Sequence, residues 1–89
     1  MINTELVREF GLRIKQLRSE KNMSQESLSG VTGFHRTYIG MIERGERNIS
    51  LSNMAVFAKV FEMTVSELLD FTSINPAHSF INYVIKAER

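Results

Sequence analysis

The segment of residues 24–48, SQESLSGVTGFHRTYIGMIERGERN, constrains the fold more than any other part of the chain. It sets Leu28 on one side of Gly33, and Phe34, Ile39 and Ile42 on the other, at spacings that turn all four inward on helices. Ser29 puts a small side chain where the two helices must approach, and Gly33 supplies a residue that tolerates a left-handed turn. Ile49, Ser50 and Leu51 then read as the start of a further helix. Two short helices joined by a tight turn satisfy all of these demands at once, and no strand-like alternation competes with them anywhere in the chain.

The flanking sequence extends the same pattern. A first helix starts after Thr4 as N-cap, carries Leu6, Phe10, Ile14 and Leu17 on one face, and stops near Lys21 and Asn22. The second opens at Ser24 and runs through Leu28 to Val31; the third spans about residues 35–44, with Gly45 as its left-handed end. A fourth begins after Ser50, burying Leu51, Met54, Phe57, Ala58 and Phe61, and a fifth begins after Ser66 with Leu68 and Leu69. Asn75 and Pro76 supply a cap and a first position for a sixth helix, whose stripe is Ala77, Phe80, Ile81, Val84 and Ile85. The expected class is all-α: residues 1–73 form one domain with its helix-turn-helix at 24–44, and residues 74–89 form an additional C-terminal helix.

Composition removes several classes of function. Eighty-nine residues, 43% of them hydrophobic, suffice for one core and no second domain. Without cysteine a metal site would need histidines and carboxylates, and His35 and His78 stand far apart without ligand spacing. Neither a membrane span nor a secretory signal is present in the pattern, so a cytoplasmic protein is expected. No nucleophile, base and orienting residue can be grouped, and no phosphate-cradling glycine loop occurs, so neither catalysis, cofactor nor small-molecule ligand is expected. The net charge of +1 is uninformative, although residues 1–50 carry eight basic against six acidic side chains and the remainder three against four.

With Ile39 and Ile42 turned inward, Arg36, Thr37, Gly40, Met41 and Arg44 take the outer face of the third helix. These are the residue types that read duplex DNA. An arginine in the first turn pairs two-pronged with guanine O6 and N7, and a threonine bonds a base edge or sets its methyl against thymine. Tyr38 lies at the border of this face, able either to touch bases or to pack on the second helix. Arg36, Thr37, Tyr38 and Met41 are therefore the candidate base readers. Gly40 gives up about 1 kcal/mol of helix propensity, a cost that close approach to DNA would explain. Ser24 and Gln25 at a helix N-terminus, His35 as a cap with a secondary phosphate contact, and Arg44, Arg47 and Asn48 just past the third helix are the candidate phosphate anchors.

Over about residues 9–71 the chain resembles the phage-repressor helix-turn-helix family, and HRTYIGMIERGERN, residues 35–48, is similar more narrowly to controller proteins of restriction-modification systems. The resemblance implies a repressor-like five-helix fold, a homodimer, and a palindromic operator in double-stranded DNA. It further implies regulation of the chain's own gene and of a neighbouring endonuclease gene, as activator and repressor, with RNA polymerase as a further partner. A phage-type repressor or an antitoxin would share this chemistry. A protein-interaction module on the same fold is the alternative of another class, disfavoured by Arg36, Arg44 and Arg47. The resemblance also pairs Arg18 with Glu43 as a structural ion pair. Ser29, where the family has alanine, and Thr32, where it has an apolar residue, are departures. Phe61, Leu68, Phe80, Ile81, Val84 and Ile85 offer apolar surface for a dimer interface, while folding of the last helix onto its own core is the competing reading.

Overall fold

The computed structural model describes residues 4–74, which form five helices and no strand: α1 Thr4–Glu20, α2 Gln25–Thr32, α3 Arg36–Glu43, α4 Leu51–Val60 and α5 Val65–Leu68. The sixth helix expected from Asn75 onward, with Phe80, Ile81, Val84 and Ile85, lies outside the described residues.

Side chains written into the sequence set the helix starts. Ser24 Oγ accepts from Ser27 N at 3.0 Å, His35 Nδ1 from Thr37 N at 3.1 Å, and Ser50 Oγ from Asn53 N at 3.1 Å. Each satisfies a backbone donor that has no partner within its helix. The fifth start differs from the expectation. Thr64, not Ser66, is the cap, because Thr64 and Glu67 stand three apart and bond reciprocally, Glu67 N donating to Thr64 Oγ1 and Thr64 N to Glu67 Oε1. At the other end of α5, Arg13 donates through Nη2 to Glu67 O at 2.8 Å and through Nε to Leu68 O at 3.2 Å, tying α1 to the last carbonyls of the short helix.

Phe57 of α4 is fully buried at the centre of the core. Its ring meets Phe10 of α1 at 6.5 Å, Phe34 of the α2–α3 turn at 5.3 Å and Phe61 at 6.4 Å. Ile14, Leu17, Leu28, Ile39, Ile42, Leu68 and Phe71 complete it. Two expectations change here. Phe61 and Leu68 are core residues, 3% and 0% exposed, and as placed they have no surface to give a second chain. Leu51, expected inside, is 68% exposed, because it occupies the first turn of α4 and burial on that helix begins only at half-buried Asn53 and Met54.

One close approach governs how α3 is carried. A Cβ at Gly11, midway along α1, would stand 2.2 Å from Ile42 O, 2.9 Å from Glu43 O and 3.0 Å from Glu43 C. Any side chain there would occupy the space of the α3 backbone, so this glycine lets α1 lie directly against the last turn of α3.

Candidate nucleic-acid interface

The turn between α2 and α3 is closed by polar side chains that bond backbone. Gly33 takes φ 82° and donates to Ser29 O at 2.9 Å, ending α2. Ser29 Oγ donates to Phe34 O; Thr32 Oγ1 donates to Leu28 O at 2.8 Å and accepts from Phe34 N at 3.1 Å. The two departures from the family pattern, Ser29 and Thr32, thus supply the bonds that fix the angle between the helices.

Behind the turn, α3 is tied to α1 and α2 through one carboxylate. Arg18 donates through Nε to Glu43 Oε2 at 2.7 Å and through Nη2 to Glu43 Oε1 at 3.0 Å, while its Nη1 bonds Met23 O at 2.8 Å. Gln25 Nε2 donates to the same Glu43 Oε1 at 3.0 Å. The side chains of Arg18 and Glu43 are 14% and 3% exposed, and the hydrogen bonds that Arg18 donates to Glu43 hold its guanidinium above its ordinary range. Gln25, read in the sequence as a phosphate anchor, is thereby also a brace: one edge of its amide belongs to Glu43.

The opposite side of α3 is polar and open. Arg36, Thr37 and Arg44 are exposed and Met41 is half-buried. Gln25, Arg36, Thr37, Gly40 and Arg44 line an open cleft along α3, and Arg18, Ser24, Gln25, Glu26 and Arg36 line a second beside the start of α2. Ser24, His35, Arg47 and Asn48 are exposed around the same surface.

Three residues sit differently from the expectation. Tyr38 is half-buried, its ring edge-on to Phe34 at 5.3 Å and its hydroxyl accepting from Asn53 Nδ2 at 2.9 Å, so it packs on the turn and is bonded to α4. The Arg47 guanidinium lies 5.3 Å from the centre of that ring, a cation–π contact that holds it beside the interface. Gly40 is buried, not open to an approaching surface. A Cβ on it would stand 3.1 Å from Arg44 Nη1 and 3.6 Å from Gln25 Oε1, so those two side chains cover it. Arg44 accordingly lies back along α3 and not out past its end, and it bonds Glu46 with two prongs, Nε to Oε2 at 2.9 Å and Nη2 to Oε1 at 3.1 Å. Asn53, Gly11 and Arg13 escaped the sequence reading. Only Gly11 had a local signal, a glycine costing helix propensity in the middle of a helix.

Two short helices fixed at a turn, the second with a polar arginine-bearing outer face and an apolar inner one, define a helix-turn-helix protein. The family model described as helix-turn-helix, HTH_3, matches residues 14–68, and the chain belongs to that family. It is 48% identical over 66 residues to "Control protein C.BamHI" of Bacillus amyloliquefaciens, covering 73% of this chain and 82% of that protein. Among solved structures, the restriction-modification controller protein C.AhdI from Aeromonas hydrophila superposes with a TM-score of 0.68 at 41% identity, over 74% of this chain and 98% of that one. The controller protein C.Esp1396I, solved as a tetramer in complex with its natural 35 base-pair operator, superposes with a TM-score of 0.65 at 34% identity, over 72% and 88%.

Proposed function

We propose that the chain is a sequence-specific DNA-binding transcriptional regulator, the controller protein of a restriction-modification system. The observation that carries this reading is the exposed outer face of α3, where Arg36 and Thr37 stand in the first turn while Arg18, Glu43 and Gln25 brace the same helix from behind. Base reading requires donors held at fixed positions, and that brace supplies the rigidity. The operator complex of C.Esp1396I supports DNA as the partner.

In this reading Arg36 donates two bonds to guanine O6 and N7, and Thr37 meets the neighbouring base edge. Ser24, the N-terminal amides of α2, His35, Arg47 and Asn48 hold phosphates on either side and set the register. Met41 offers an apolar contact to a thymine methyl, and Tyr38, held by Phe34 and Asn53, presents the remaining edge of its ring and carries Arg47. Two copies related by a two-fold axis would place their α3 helices about 34 Å apart, matching half-sites about 10 base pairs apart in a palindrome. The segment beyond Ile74, with Phe80, Ile81, Val84 and Ile85, is the proposed source of apolar surface for that pairing. The function requires no catalytic step and no cofactor.

The test is binding to duplexes taken from immediately upstream of the gene, against scrambled duplexes at about 150 mM salt, where non-specific binding is commonly weaker than micromolar. Nanomolar binding of two chains per palindrome, with stoichiometry from analytical ultracentrifugation, is expected. Equal weak binding to both duplexes would refute regulation from that site and would favour a protein-binding role for the face.

A further inference from the structure

Arg44 and Glu46 sit on the DNA-facing surface in an arrangement that a simple backbone anchor does not need. An arginine that serves only as a phosphate anchor acts largely through its charge, and its effect scales with the positive charge brought to the duplex. Here Glu46 lies on the Nε–Nη2 edge of the guanidinium with two bonds, at 2.9 and 3.1 Å, and cancels most of that charge where the backbone would pass. Cancelled charge does not remove the directional N–H groups. Glu46 takes one edge, and Nη1 is the atom that lies over Gly40, in the cleft shared with Gln25, Arg36 and Thr37.

The bed for this side chain is the glycine. An alanine Cβ at position 40 would stand 3.1 Å from Arg44 Nη1, tighter than nine in ten real Cβ contacts, so the guanidinium would have to lift. A long flexible arginine otherwise samples many rotamers, and a site that reads bases must hold its donors within about 0.5 Å. Gly40 beneath and Glu46 beside it narrow that freedom at the face.

We propose that Arg44 is a sequence-reading residue whose aim is set by Gly40 and Glu46, its Nη1 donating to a base-edge acceptor such as guanine O6 or N7, or thymine O4. Glu46 and Gly40 are positioning residues that act through Arg44. The proposal rests on the reading of α3 as the DNA-facing helix.

The test uses the full chain with the duplex it enriches from a random pool and a scrambled duplex, titrated by fluorescence anisotropy. Glu46→Gln is expected to tighten binding to the scrambled duplex, since one repelling carboxylate is gone, and yet to lower the ratio of specific to scrambled affinity about tenfold. Gly40→Ala, which lifts the guanidinium by a few tenths of an ångström, is expected to lower the ratio by less, while its melting temperature holds or rises, because alanine is the better helix former. In an Arg44→Ala background, Gly40→Ala should change the ratio no further. A Glu46→Gln chain that binds both duplexes more tightly by one factor, leaving the ratio unchanged, would overturn the proposal and make Glu46 a mere competitor for phosphate. An undiminished Gly40→Ala penalty in the Arg44→Ala background would also overturn it, since the glycine would then be meeting the DNA itself. Failure of the unaltered chain to enrich any sequence would overturn the reading of the face, and this proposal with it; enrichment with every variant ratio unchanged would overturn this proposal alone.

Discussion

Alanine at Gly11 and alanine at Gly30 are the same chemical change inside helices, and the structure assigns them opposite signs. At Gly11 the new Cβ would meet Ile42 O at 2.2 Å, where ordinary contact begins at 3.4 Å, so α1 and α3 must part by about 1.2 Å locally. The obstacle is backbone and cannot rotate away. Overpacking of this kind costs about 1–3 kcal/mol, occasionally more, and a carbonyl wall belongs at the upper end. The gain in helix propensity returns up to about 1 kcal/mol, leaving a net loss of about 2 kcal/mol. For a domain of this size that lowers the melting temperature by roughly 8–16 °C. At exposed Gly30, in α2, nothing lies within 4 Å of the added methyl, and the propensity gain of up to about 1 kcal/mol stands alone. Thermal unfolding followed by far-UV circular dichroism, with both variants and the unaltered chain in one buffer, reads the difference. A Gly11→Ala chain as stable as the Gly30→Ala chain would show that α1 does not lie on the α3 backbone as described, and the account of how α3 is carried would fail.

Other outcomes follow from the same geometry. Glu43→Gln leaves the Arg18 guanidinium with a neutral partner in a mostly buried position and is expected to lower stability by about 3 kcal/mol in urea unfolding, whereas Arg18→Met with Glu43→Leu should recover much of it. The double variant should still discriminate poorly between duplexes, because Gln25 has lost the acceptor that braces it. The carboxyls of Glu46, Glu67 and Asp70 are held below their ordinary ranges, by hydrogen bonds from Arg44, from Thr64 and from Thr72 respectively. A lowered folded-state value stabilises at pH above the unfolded value and loses that contribution as pH falls through the folded one. Melting temperature should therefore fall from about pH 5 toward pH 3, and less steeply in Glu67→Gln than in the unaltered chain. Arg36→Ala should weaken specific binding by about 1–3 kcal/mol and relax preference at one base pair of each half-site, read by competition with single-position duplex variants.

What the sequence disclosed and what it hid have separate physical causes. Helix caps are local chemistry, so Ser24, His35 and Ser50 were legible, as were the inward residues Leu28, Ile39 and Ile42, whose spacing is a property of the helix itself. The Thr64 cap is equally local, since Thr64 and Glu67 stand three apart as a reciprocal pair, and the start after Ser66 overlooks it. The Arg18–Glu43 pair spans 25 residues and became legible through family resemblance, not through spacing. The bond from Gln25 that completes it was not legible, nor was the hold of Asn53 on the Tyr38 hydroxyl, because neither leaves a pattern along the chain. Outer-face membership was assigned correctly to Arg36 and Thr37, yet helical phase cannot tell that Arg44 folds back over Gly40. Phase gives where a side chain starts, and for a long arginine its end is decided by a neighbour, here Glu46. Phe61 and Leu68 read as surplus apolar surface because counting stripes does not show that Phe61 stacks on Phe57 and that both residues join the buried core.

The proposed function depends above all on base reading by the outer face of α3. Selection from a pool of random duplexes by the unaltered chain, followed by sequencing of the bound fraction, tests it without knowledge of the natural site. One enriched motif of two inverted half-sites about 10 base pairs apart is expected, with relaxation of one position in each half-site when selection is repeated with Arg36→Ala. An unenriched pool, or an enriched motif that Arg36→Ala leaves unchanged, would contradict it.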